Sequence, residues 1–132
     1  MNDDFSNIWT HQIAISDNAG KDELHRESEG GQRHSLVDGV ELTAESYIVD
    51  TQTIDNLIER YEIPDLIKID IEGAELKALS GAQQCMAEHD VDFFIEVHSP
   101  EAERGRVNKL GQCNADIESL FVQISRFGYD IY

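Results

Sequence analysis

Asp70, Glu72, Glu96 and His98 are the side chains of this sequence best placed by type and spacing to do chemistry. Asp70-Ile71-Glu72-Gly73 closes an apolar run over residues 66–71, and Glu96-Val97-His98-Ser99 closes a second run over residues 91–97. In open α/β sheets, ligands bind beyond the carboxyl ends of the strands. If these two strands are neighbours, three carboxylates and an imidazole meet on one edge. Such a set can hold a hard divalent cation or serve as general acid and base. The same residues also suit the solvated strand ends of an acid-rich chain, and both readings stay open at this point.

The elements that must position them are legible to different degrees. Residues 8–15 (IWTHQIAI) read as a strand ending at the turn cluster Ser16-Asp17-Asn18-Ala19-Gly20. Residues 21–46 are polar and read as a loop or irregular hairpin, and Tyr47-Ile48-Val49 as a short strand. Ile54, Leu57, Ile58 and Tyr61 fall on one helical face, with Thr53 as N-cap and Asp55 suited to the dipole of the first turn. The run LIKIDI at 66–71 predicts a strand buried on both faces of a parallel sheet. A helix is expected over 74–89, with Ala78, Leu79, Ala82, Cys85 and Met86 as its apolar stripe. Glu75 and Lys68 can pair across its start, while Gly73 and Gly81 serve turn and packing geometry. The strand at 91–97 follows. Ile117, Leu120, Phe121 and Ile124 mark a last helix ending near Gly128, and Tyr129–Tyr132 starts a further strand. Strand, helix, strand, helix, strand predicts an α/β fold with a parallel sheet.

Composition narrows the function classes. The chain has 132 residues, 40% of them apolar, and a net charge of −17. One domain over residues 1–132 fits that length. Four Lys and six Arg against 27 acids weigh against nucleic acid and against anionic membrane surfaces. No run approaches the ~18 apolar residues of a membrane span. The start, MNDDFSN, lacks the pattern of a signal peptide. Cys85 and Cys113 lack metal-ligand spacing, and two thiols with no export signal fit a reducing cytoplasm. The acidity is either ordinary or that of a protein kept hydrated at high salt. Asp70-Ile71-Glu72-Gly73 also fits a D-x-x-G switch, but no GxxxxGK[ST] phosphate loop accompanies it, and no G-x-S-x-G elbow supports a serine hydrolase.

A resemblance carries the reading further. Thr53-Ile54-Asp55, then Leu66-Ile67-Lys68-Ile69-Asp70-Ile71-Glu72-Gly73-Ala74-Glu75, then Leu79-Ser80-Gly81-Ala82 resemble the T-L-D, L-K-I-D-V-E-G-A-E and L-x-G-A signatures of the FkbM family of methyltransferases. Phe93 to His98 is similar to that family's next strand, Ile13 to Gly20 to its A-L-S-D-x-x-G, and Phe127-Gly128-Tyr129 to its G-Y turn. The resemblance implies a class I (Rossmann-like) methyltransferase sheet with flanking helices. It implies S-adenosylmethionine as cofactor and a hydroxyl acceptor on a sugar or small metabolite. Ser16 and Asp17 would contact the cofactor's adenine. Asp70 would lie beside the transferring methyl, with Glu72, Glu96 and His98 on the acceptor side. His98 by its intrinsic pKa, or Asp70 or Glu96 through burial or a bound divalent metal, would take the acceptor's proton.

The sequence departs from that pattern in one respect. It has no glycine-rich loop after a first strand and no ribose-holding acid after a second. The expectation is therefore a partial class I sheet lacking the first two strands, inactive as an isolated chain. Strands 8–15 and 66–71 would then flank a gap, whose open edge calls for a second copy or a partner chain. Two other readings stand beside it. One is a non-catalytic interaction or complementation module, and the other an acidic metal-binding α/β module.

Overall fold

The computed structural model describes residues 8–26, 34–35, 46–71, 73–97 and 119–131. In chain order the elements are β1 (Ala14–Ile15), β2 (Gly20–Arg26), β3 (His34–Ser35), β4 (Ser46–Gln52), α1 (Ile54–Arg60), β5 (Leu66–Ile69), α2 (Glu75–Ser80), α3 (Gln83–Glu88) and β6 (Asp92–Ile95). A further helix, α4, covers residues 119–126. The strands form two sheets, one ordered β1-β4-β2-β3 and the other β5-β6.

The first sheet bears out one of the two readings of residues 21–46, the irregular hairpin: β2 pairs antiparallel with β3 at His25↔Ser35 and Arg26↔His34. β2 also runs antiparallel to β4 from Gly20↔Thr51 to His25↔Ser46. Lys21, Asp22 and Glu23 have poor strand propensity, so the backbone ladder with β4 holds this strand rather than its composition. Lys21 also reaches Asp50 at 3.0 Å, and Lys77 of α2 lies 3.7 Å from Asp22. Conversely, the apolar run 8–15 forms strand only at Ala14–Ile15, paired parallel to Thr51–Gln52. Ile8 and Trp9 are exposed.

Thr53 caps α1 as expected, its hydroxyl accepting the Asn56 N–H at 3.0 Å. The predicted face of that helix is also the observed one: Ile54, Leu57, Ile58 and Tyr61 all line a single cavity. The helix expected at 74–89 is instead two short helices, α2 and α3, broken at Gly81–Ala82. Their buried residues, Ala78, Leu79, Ala82, Cys85 and Met86, form the core with Ile54, Ile69, Val91 and Leu120. Each fully buried large side chain contributes roughly 1.5–3 kcal/mol through burial. The stripe read from sequence therefore survives the break.

In the second sheet, β5 and β6 pair parallel from Leu66↔Asp92 to Ile69↔Ile95. Only one face is covered. Ile67, Ile69, Phe93 and Ile95 pack on the core, whereas Leu66 and Phe94 are each 59% exposed. The expectation of burial on both faces fails because α1 to α4 supply no layer over the outer face. The last helix buries Leu120 and packs Ile124 on the core, but leaves Phe121 exposed; Ile117 lies outside the described residues. Gly128 sits at φ +81°, the left-handed conformation that favours glycine after a helix. Residues 129–131 form no strand; Tyr129 instead packs edge-on against Phe93, with ring centroids 5.7 Å apart. Among the described residues, no helix is long and apolar enough to cross a membrane.

Candidate functional site

The parallel register of β5 and β6 decides which predicted site residues meet. Ile69 pairs with Ile95, and the Glu96 N–H donates to the Ile69 carbonyl at 2.9 Å. Asp70 and Glu96 therefore leave neighbouring strands side by side at their carboxyl ends. Side chains alternate along a strand, so Lys68, Asp70, Phe94 and Glu96 share the exposed face. Glu72 and His98, the other two predicted members, lie outside the described residues.

Lys68 belongs to this cluster. Its ammonium donates to Asp70 Oδ2 at 2.7 Å. That hydrogen bond, then the Asp70 charge, and to a lesser degree Glu96, push the Lys68 pKa above its ordinary value. Asp70 is thus a charge-compensated carboxylate rather than a bare one. A cation would have to displace the Lys68 ammonium, and among the described residues no three His, Cys, Asp or Glu side chains converge to hold a metal. The pairing of Lys68 with Glu75 is replaced by two local contacts: Lys68 with Asp70, and Glu75 Oε1 accepting the Gly73 N–H at 3.0 Å. Gly73 turns the chain there at φ +99°.

Ser16 and Asp17 sit where β1 ends, in the other sheet. The Ser16 N–H donates to the Gln52 carbonyl at 2.9 Å, which extends the β1–β4 ladder by one bond. Ser16 is buried, and its hydroxyl donates to Asp17 Oδ1 at 3.1 Å; Asn18 Nδ2 donates to the same oxygen at 2.8 Å. Asp17 itself is exposed. The turn therefore presents a carboxylate held in place from both sides, suited to receive an amine or hydroxyl donor.

The two clusters flank one apolar cavity of about 230 Å³. Ile15, next to Ser16, lines it on one side; Ile69 and Ile71, on either side of Asp70, line it on the other, with α1 behind. β1 and β5 are not paired with each other among the described residues.

Two further residues shape this region. The Asp55 carboxylate accepts the N–H groups of Gln84 and Cys85 at 3.1 and 2.8 Å, capping α3 from another helix. Sequence reading gave it only the dipole of its own helix. Gly81 packs so closely that a Cβ there would lie 2.3 Å from the Ser16 carbonyl oxygen. Lys68 had a signal available, since residues two apart on a strand share a face. Asp55 had none, because its partner amides are about 30 residues away in sequence. Burial, followed by the Asp55 charge, raises the Cys85 thiol pKa; Cys85 is free and buried, and Cys113 lies outside the described residues.

Compared with known proteins, residues 2–131 match a family model described as the methyltransferase FkbM domain. No curated protein and no solved structure matches the chain.

Proposed function

The chain belongs to the FkbM methyltransferase domain family, and on that premise we propose that it transfers a methyl group from S-adenosylmethionine to a hydroxyl of a sugar or small metabolite. The observation that carries this reading is the parallel pairing of β5 and β6, which sets Asp70 and Glu96 side by side at one sheet edge. S-adenosylmethionine supplies an activated methyl on a sulfonium, so the protein has mainly to position and to move one proton.

The residues present fit one end of that cofactor. Asp17, steadied by Ser16 and Asn18, offers an exposed acceptor for the amine edge of an adenine. The sequence contains no glycine-rich loop to cradle the other end. On the acceptor side, Glu96 receives the hydrogen bond of the acceptor hydroxyl, and Asp70, held by Lys68, fixes the approach. His98 takes the proton by its intrinsic pKa.

The test is transfer of label from methyl-tritiated S-adenosylmethionine to a panel of sugar and small-molecule alcohols. Label on a hydroxyl, reduced at least tenfold in Glu96→Gln, supports the reading. Transfer to nitrogen or carbon acceptors only, or a Glu96→Gln variant as active as the parent, removes it.

A second reading is favoured by the split sheet. The apolar cavity between β1 and β5, and the exposed Leu66 and Phe94 on the outer face of β5–β6, suit a module that completes its sheet with a second copy or a partner chain. Sedimentation velocity across a range of concentrations tests the homodimer. A chain that stays monomeric and gains methyl transfer only with added polypeptide favours the partner. A monomer active by itself dismisses both.

A further inference from the structure

We propose that Gly81 is a positioning residue for the Ser16–Asp17 turn, so that the α2–α3 junction sets where the Asp17 carboxylate meets the cofactor. The proposal rests on the reading of that turn as a cofactor contact. The Asp17 carboxylate is aimed by the Ser16 hydroxyl, and Ser16 is buried with its N–H committed to Gln52. What lies against the Ser16 carbonyl is Gly81. A Cβ at that position would sit 2.3 Å from the carbonyl oxygen, 3.3 Å from the carbonyl carbon and 3.1 Å from the Thr53 Cβ. Gly81 has φ −88° and ψ 8°, a conformation open to any residue, so glycine is required by closeness and not by backbone strain.

The junction is itself braced. Its Gly81 carbonyl accepts the Asp55 N–H at 2.9 Å, its N–H donates to Lys77 and Ala78 carbonyls at 3.1 Å, and the Asp55 carboxylate grips the first amides of α3. An added methyl therefore cannot be absorbed by moving the helices cheaply. The Ser16 carbonyl must retreat by about 1 Å, and a misplacement of that size, even far from the chemistry, can cost about a hundredfold in rate.

The experiment compares Gly81→Ala with Val91→Ala, a core truncation immediately before β6. S-adenosylhomocysteine binding is measured by calorimetry, and amide hydrogen exchange at Ser16 and Asp17 in the same samples without ligand. Gly81→Ala is expected to weaken binding at least tenfold and to speed Ser16 exchange, while Val91→Ala lowers the unfolding midpoint with binding within twofold of the parent. Should Gly81→Ala fail to fold, Asp55→Asn, which loosens the brace without adding a Cβ, is expected to move both readouts in the same direction by less. Unchanged Ser16 exchange in the folded variant, or equal loss of binding in Val91→Ala, overturns the proposal. A parent chain that does not bind S-adenosylhomocysteine overturns the cofactor reading of the turn instead, and Ser16 exchange still decides the positioning.

Discussion

The Asp55 carboxylate in the first turn of α1 accepts the Cys85 N–H of α3 at 2.8 Å, and the Gln84 N–H at 3.1 Å. Ala82, the residue preceding α3, has no side chain able to do this. A short helix of six residues, Gln83–Glu88, cannot sustain itself in isolation. Its start is held by a carboxylate delivered from a separate helix, so the two helices fold as one unit.

Removing that cap has a defined cost. Asp55→Ala is expected to lower stability by about 0.5–2 kcal/mol, the range for a lost N-cap. Asp55→Asn, which keeps one acceptor oxygen, should lose less. Urea denaturation followed by circular dichroism reads both midpoints. Equal midpoints for the parent and Asp55→Ala would show that the contact holds nothing.

Thr51 gives the opposite sign. Its hydroxyl is buried in β4 with no hydrogen-bond partner among the described residues. A buried polar group without a partner costs roughly 1–3 kcal/mol, and replacing it by an apolar group of the same shape removes that cost. Thr51→Val is nearly isosteric and keeps the branching that strands favour. The midpoint in urea is expected to rise, and a fall would mean that the hydroxyl is satisfied in solution.

The alkaline limb of stability follows from three raised pKa values. Burial and then the Asp55 charge raise the Cys85 thiol above its ordinary 9.0; burial and then nearby negative charges raise Tyr129 above 10.0; the Asp70 hydrogen bond and charge raise Lys68 above 10.5. In each case the folded state holds its proton more tightly than the unfolded chain. Stability is then complete below the unfolded pKa and falls as pH rises toward the folded one. The loss should begin with Cys85 above about pH 9, and Cys85→Ala should flatten its first part. Thermal unfolding at stepped pH checks the order. A Cys85→Ala curve with the parent's slope between pH 9 and 10 would exclude the thiol as its source.

How much of this was readable in the residues depends on how local the cause is. The Thr53 cap, the α1 face from Ile54 to Tyr61 and the Ala78–Met86 stripe depend on spacings of three and four, and the structure keeps them. Gly20–Arg26 was readable only as one arm of an irregular hairpin and not as a seven-residue strand, because its partner Ser46–Gln52 supplies the ladder and its own side chains do not. The break at Gly81 was half readable: glycine marks a weak point in a helix and a place of close packing, but the Ser16 carbonyl it packs against is distant in sequence. At the site, Asp70 and Glu96 were legible as strand ends, while their adjacency needed the parallel register. Lys68 was passed over because its side chain was assigned to the helix start, when the alternation of β5 puts it beside Asp70.

The Lys68–Asp70 pair yields a prediction that separates its electrostatic role from its catalytic one. Because the Asp70 hydrogen bond is the first cause of the raised Lys68 pKa and Glu96 only the least, Asp70→Asn should return Lys68 toward its ordinary value and Glu96→Gln should barely move it. A larger neutral fraction of Lys68 at fixed alkaline pH means faster acylation, so peptide mapping after brief acetylation reports the difference without any substrate. Methyl transfer sets Glu96→Gln against Lys68→Met. Glu96→Gln removes the proposed acceptor contact and should lower transfer at least tenfold, whereas Lys68→Met leaves both carboxylates in place and should lower it less. If Glu96→Gln speeds Lys68 acylation as much as Asp70→Asn does, or lowers transfer no more than Lys68→Met does, the cluster acts only through its summed charge, and the separate roles given to Asp70 and Glu96 are wrong.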